Sequence, residues 1–174
     1  DMMDEARKRG KGSSGAGASW IWHPDENGVA RAPAGNRYFR RVIQTDPATR
    51  SSADITITAD NSYTLWVNGQ YVLKDNDWTQ RESASIKEHL KAGPNVLAIA
   101  VTNTSVGAAG LITALTMKDK SGKVQVVVTD KSWVAGKSEV KGWRTDVRNP
   151  DRWFPARVMG KASMSPWRLK LMNN

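Results

Sequence analysis

Tyr63-Thr64-Leu65-Trp66-Val67-Asn68-Gly69-Gln70-Tyr71-Val72-Leu73 decides the fold class. Tyr63, Leu65 and Val67 share one face of an extended segment, Asn68-Gly69 follows, and a second β-rich run begins at Gln70. Asn and Gly both tolerate the positive φ that a type I′ turn requires, so the stretch predicts a two-residue β-hairpin. The same period of two runs outward from it. Upstream, Ile55, Ile57 and Ala59 alternate with Asp54, Thr56 and Thr58, and Phe39, Arg41 and Ile43 alternate with Tyr38, Arg40 and Val42. Downstream, Val96 to Thr102 is almost continuously apolar, as expected of a central strand covered on both faces.

Leu111 to Met117 reads as a further strand, turned by Lys120-Ser121-Gly122-Lys123 into Val124 to Thr129. A last segment puts Trp167, Leu169 and Leu171 on one side and Arg168 and Lys170 on the other. Helical character is confined to a turn or two in Ala84 to Leu90, closed by Gly93-Pro94. Seven or eight short strands divided by turn clusters predict an all-β sandwich of jelly-roll or Greek-key order.

At 174 residues the chain has the size of one domain. Residues 1–17 read as a flexible tail: Arg7, Lys8, Arg9 and Lys11 lead into Gly12-Ser13-Ser14-Gly15-Ala16-Gly17, with nothing apolar to bury after Met3. Residues 18–174 form the sandwich. No apolar run approaches the ~20 residues of a membrane-spanning helix. Cysteine is absent, which excludes disulfides, Cys-ligated zinc and thiol chemistry. That absence, with a chain beginning at Asp1 instead of an initiator Met, suits a processed, exported protein of the bacterial periplasm or exterior.

The formal net charge is +9, and its distribution says more than its size. Residues 131–174 hold ten basic groups against three acidic, whereas 18–130 are nearly balanced at twelve against eleven. Such a one-sided field favours an acidic partner. Arg144, Arg148, Arg152, Arg157 and Lys161 are the candidate contacts. Basic residues interleaved with Trp143, Trp153 and Trp167 also occur in single-strand nucleic-acid grooves. The irregular spacing and the lack of any nucleic-acid-binding motif argue against that use.

Catalytic machinery is missing. His23 and His89 stand in unrelated contexts with no metal spacing, and there is neither a nucleophile elbow nor a phosphate loop. Asp75 and Asp77 would share a face of an extended segment, but paired carboxylates cleave a glycosidic bond only when they flank it in a cleft. Asp60-Asn61 and Asp75-Asn76-Asp77 offer hard oxygen ligands for a structural calcium, without the spaced loop of a dedicated site; the same residues equally serve turn chemistry. Among eight tryptophans, Trp20, Trp133 and Trp167 read as core or sheet-end plugs. Trp78 stands apart because Asp75, Asn76, Asp77, Gln80 and Arg81 around it are all polar, which suits a flat platform for a sugar ring.

Taken in order, Ala18-Ser19-Trp20-Ile21-Trp22, Asn36-Arg37-Tyr38-Phe39-Arg40-Arg41, Ala59 to Gly69, Leu90 to Ile99, Gly110-Leu111, Thr129 to Trp133 and Trp153 to Trp167 resemble a known family. It is the galactose-binding-like β-sandwich, found at the N-terminus of bacterial α-L-rhamnosidases and related to the sugar-binding domain of family 2 glycoside hydrolases. The resemblance runs from about Ala18 to Leu171. It implies a jelly roll of about eight strands without catalytic residues, which in those enzymes occupy a separate barrel domain. Two functions follow as expectations. One is a non-catalytic module that grips a carbohydrate through Trp78, Asp75, Asn76, Asp77 and Asn103. The other is an accessory subunit of a larger exported or membrane-associated assembly, reaching acidic partners through the basic C-terminal segment and the tail.

Overall fold

The computed structural model describes residues 17–170. The tail expected over 1–17 lies outside the described residues except for Gly17, as does Leu171 of the last expected strand. Twelve strands follow one another: β1 (Ser19–Trp22), β2 (Gly35–Thr45), β3 (Arg50–Asp60), β4 (Ser62–Val67), β5 (Gln70–Asp75), β6 (Glu82–Ser85), β7 (Gly93–Asn103), β8 (Gly110–Asp119), β9 (Val124–Val128), β10 (Val134–Gly136), β11 (Phe154–Pro155) and β12 (Arg157–Lys161). The strands the sequence did not single out are short pieces toward the sheet margins, whose two to five residues are too few to show a period. The helical turn of Ala84 to Leu90 reduces to one 3-10 turn, Lys87–His89, after β6. No helix among the described residues is long and apolar enough to cross a membrane.

All pairings are antiparallel. One sheet runs β12-β1-β8-β3-β6, with β9 also on β8; the other runs β11-β10-β2-β7-β4-β5. The central hairpin closes as expected, with Val67 opposite Gln70 and φ of 51° at Asn68 and 81° at Gly69. The Asn68 amide donates to His89 O and Asn95 Oδ1, and its oxygen accepts from Val96 N, so the turn is locked to the start of β7.

Between the sheets the inward faces of β3, β4, β7 and β8 make the main core, with Ile55, Ile57, Leu65, Leu97, Ile99 and Leu115 among its members. The outer face of each sheet is covered as well. Over the second sheet, Val96 and Ala98 of β7 are buried beneath Trp143 and Trp153 from the long β10–β11 connection. This is why Val96 to Thr102 reads as apolar on both sides. Arg40, fully buried on that outer face, donates to the backbone carbonyls of Asp146 and Arg148 and thereby ties the connection down.

Over the first sheet, residues 162–170 fold back without forming the expected strand. Trp167 stacks on Trp20, ring centroids 4.3 Å apart, and Leu169 packs beside them with Ile112 and Ala162. The expected alternation survives in burial: Trp167 and Leu169 face the sheet while Arg168 and Lys170 are exposed. Hydrogen bonds from Arg168 N to Met164 O and from Leu169 N to Ala162 O hold the segment as a compact loop, with no neighbouring strand.

Candidate functional site

At one end of the sandwich the chain leaves β5 in the second sheet and enters β6 in the first, and residues 76–81 make that crossing. Thr58, on the outward face of β3, donates its hydroxyl to Trp78 O at 3.2 Å and anchors the crossing loop. Trp78 is half-buried and packs against the cluster of Trp20, Trp167 and Leu169. Asp77 Oδ1 accepts from the backbone N–H and the hydroxyl of Thr79, a side-chain-closed turn that fixes the loop's shape.

Opposite Trp78 stands the folded-back segment 167–170. The two stretches line a cleft of about 490 Å³, walled by residues 78–81 and 167–170. Arg81 Nη1 donates to Lys170 O at 2.9 Å and bridges the walls. The floor is rigid: Trp167 Nε1 donates to Asp60 Oδ2 at 2.9 Å, and Trp20 Nε1 donates to Ala162 O at 3.1 Å. Gly110 beneath the stack admits no side chain, since a Cβ there would lie 2.8 Å from Trp20 Cε3. Burial pushes the Asp60 carboxyl above its usual range, and the Trp167 hydrogen bond pulls the other way.

The residues expected to grip a ligand are therefore brought to one end of the molecule but not to one surface. Trp78 lines the cleft. Asn76 and Asp77 are exposed on the loop leading into it. Asp75 ends β5 opposite Tyr63, half-buried, so the extended geometry that would align it with Asp77 stops there. Asp75 Oδ2 and the Tyr63 hydroxyl are both buried without a hydrogen-bond partner. Burial and the neighbouring Asp75 and Glu82 carboxylates push the Tyr63 phenol above its usual range. Asn103 is only 2% exposed and its amide donates to the carbonyls of Ala32 and Pro33, so it braces the β1–β2 loop instead of facing a ligand.

Three of the five residues considered for calcium are separately engaged: Asp60 with Trp167, Asn61 Oδ1 with Thr104, and Asp77 with Thr79. Among the described residues no three carboxylate or imidazole side chains converge. Sequence reasoning did not place Arg168, Leu169 and Lys170 at the cleft. Their alternation is visible in sequence, yet nothing local says that this segment faces Trp78.

The basic residues expected to meet a partner are spread over both sheets. Arg144 lies 3.7 Å above the Trp66 ring and 3.3 Å from Glu139, a structural stacking role. Arg148, highly exposed, is 3.7 Å from Asp151, and Arg152 occupies the left-handed region at φ 63°. Arg157 and Lys161 sit on β12, at the margin of the other sheet, where Arg157 donates to Glu26 O. A second cleft, about 340 Å³, lies among His23, Asp25, Lys137, Asp151, Arg152 and Phe154.

No family model matches the sequence. Over 158 residues the chain is 34% identical to an α-L-rhamnosidase of Streptomyces avermitilis, a stretch that takes in 87% of this chain and 15% of that enzyme. The crystal structure of the Streptomyces avermitilis α-L-rhamnosidase in complex with L-rhamnose superposes with a TM-score of 0.81 at 32% identity, over the same shares of the two chains. A lectin of Pleurotus ostreatus superposes at 0.79 and 31% identity, covering 90% of this chain and 45% of the lectin, and its complex with GalNAc at 0.77. The chain thus spans about one-seventh of the rhamnosidase it matches. Its two-sheet architecture is the galactose-binding-like β-sandwich that the sequence resembles.

Proposed function

We propose that this galactose-binding-like β-sandwich is a non-catalytic carbohydrate-binding module whose sugar site is the Trp78 cleft. The observation that carries the reading is the cleft itself. It holds a half-exposed indole on a braced loop between two polar walls, in a fold shared at 31% identity with a lectin. A pyranose ring presents C–H bonds on one side and hydroxyls around its rim. Trp78 offers an apolar surface to the first, while Thr79, Gln80 and Lys170 offer donors and acceptors to the second. Both walls are fixed before a ligand arrives, by the Thr58–Trp78 and Arg81–Lys170 hydrogen bonds, so little ordering cost falls on binding.

Titration calorimetry with L-rhamnose, galactose and GalNAc tests this, alongside Trp78→Ala. The expected result is binding by the parent protein that Trp78→Ala weakens at least about fivefold, the equivalent of roughly 1 kcal/mol of stacking. Equal affinity in a folded Trp78→Ala protein rejects this cleft as the sugar site.

A further inference from the structure

We propose that the second cleft, between His23 and Phe154, is a further saccharide-binding site that takes a neutral sugar; it stands whether or not the Trp78 cleft binds one. The observation that carries it is a buried donor with nothing to donate to. His23 is 2% exposed and lines this cleft. Asp25 N donates to His23 Nδ1 at 3.2 Å. A backbone N–H can only donate, so Nδ1 accepts and the neutral ring carries its proton on Nε2. Burial holds the imidazole below its usual pKa and so keeps it neutral; Asp25 and Glu26 pull the other way, and Lys137 and Arg37 oppose them. Nε2 makes no hydrogen bond among the described residues, yet it is not one of their sealed polar atoms; it opens on the cleft. An N–H in that position is stabilised by an acceptor that enters.

The rest of the wall matches a sugar. Its apolar side is fixed, because Trp153 packs directly over Gly136, where no Cβ would fit. Phe154 of β11 and Val140 of the β10–β11 connection are large apolar side chains left exposed on the same wall. Around them stand Asp25 and Asp151, Lys137 and Arg152, two charges of each sign among the described residues. Asp25 Oδ2 is 3.9 Å from His23 Nδ1 and 3.2 Å from Lys137 Nζ, so carboxylate, imidazole and ammonium are neighbours. Both carboxylates are largely exposed and keep lone pairs for a ligand. A sugar hydroxyl is donor and acceptor at once. It accepts from His23 Nε2–H and donates to a carboxylate, while the C–H face of its ring lies on Phe154. An anion meets two carboxylates here and a cation meets two cationic side chains. A neutral polyhydroxylated ring is the ligand that uses every group.

The test is nuclear magnetic resonance of the isotope-labelled protein, titrated with galactose, GalNAc, L-rhamnose, glucose and galacturonate up to about 50 mM. The His23 ring and the Phe154 amide report on this cleft, and the Trp78 indole reports on the other. At least one neutral sugar is expected to move the His23 and Phe154 signals saturably, and galacturonate should bind there no more tightly than galactose. Trp78→Ala should leave that dissociation constant unchanged. Phe154→Ala should raise it at least about fivefold, judged at the His23 ring, with the rest of the spectrum retained. Asp25→Asn, which keeps its backbone N–H to His23, should weaken binding as well. Signals at His23 and Phe154 that stay still overturn the proposal and mark a solvent-filled recess only. So does a response that Trp78→Ala abolishes, one that Phe154→Ala leaves intact, or tighter binding of galacturonate. Movement at Trp78 alone overturns this site and upholds the first; movement at His23 and Phe154 alone upholds this site and rejects the first.

Discussion

Asp60 and Trp167 are 107 positions apart in the chain, yet the Trp167 indole N–H donates to Asp60 Oδ2 at 2.9 Å in a buried contact. This bond couples the end of β3 to the folded-back segment, and through the Trp20–Trp167 stack it sets the floor of the Trp78 cleft. It also places a carboxyl where its charge is poorly solvated.

Asp60 should therefore make stability fall as pH rises. Its folded pKa lies above the usual 3.8, chiefly through burial, so the native state holds the proton more tightly than the unfolded chain does. The resulting penalty is absent below the usual value and complete above the folded one. Asp60→Asn keeps an acceptor for the indole and removes the charge. Urea unfolding from about pH 3 to about pH 7 should show the variant gaining on the parent as pH rises. A difference that stays flat with pH would show that Asp60 is not raised.

Gly110→Ala tests the stack from below. Its Cβ would meet Trp20 Cε3 at 2.8 Å and both Met159 Cε and Trp167 Cζ2 at 3.2 Å. Displacing packed rings of this size should cost about 1–3 kcal/mol. The near-ultraviolet circular dichroism of the tryptophans should change with it, and sugar binding at the cleft should weaken.

On the opposite sheet, Arg40 is the fastening. Truncation to Ala removes charged donors from two carbonyls in the 137–153 connection, Asp146 O and Arg148 O. A loss of about 2–3 kcal/mol is expected. Limited proteolysis should then cut within 137–153 before anywhere else among the described residues. Arg40→Lys should recover only part of the stability, because one ammonium does not reproduce the planar fork.

Glu26 and Arg37 form a mostly buried pair, with Glu26 Oε2 accepting from Arg37 Nη2 at 2.6 Å and Oε1 accepting from Arg37 Nε and Trp22 Nε1. Burial alone would raise the Glu26 carboxyl, but the Arg37 and Trp22 contacts together outweigh it and hold it below its usual 4.5. A lowered carboxyl contributes stability that is full above the usual value and is lost as pH falls through the folded one. Glu26→Gln should cost about 3 kcal/mol near neutrality, since it leaves Arg37 buried without its charge partner. Denaturant unfolding of variant and parent should converge as pH drops below about 4.

The sequence by itself determined what depends on neighbours along the chain. Asn68-Gly69 specifies its turn because φ preference is a property of the residues themselves, and both adopt it. The alternation in β2, β3, β4 and β8 specifies strands because successive side chains point to opposite faces whatever lies across the ladder. Even the double-sided apolar character of β7 was legible, since it requires cover on each face without saying what supplies it.

What only the tertiary structure decided is which residue meets which. Trp167 and Leu169 reach the outer face of the first sheet, and Trp143 and Trp153 that of the second, through connections whose course no local pattern encodes. Arg40 shares a strand face with Tyr38 and Val42 in the sequence, yet it is fully buried, and two backbone carbonyls more than 100 positions away accept from its Nη1 and Nη2. Asn103 is engaged by the β1–β2 loop for the same kind of reason, and Asp75 ends its strand where the sequence suggested an extended run on to Asp77. Trp78 was recognised by its polar neighbours, which are local. The arginine and lysine facing it across the cleft were not, because spatial proximity between residues 78–81 and 167–170 exists only after both sheets have closed on their core.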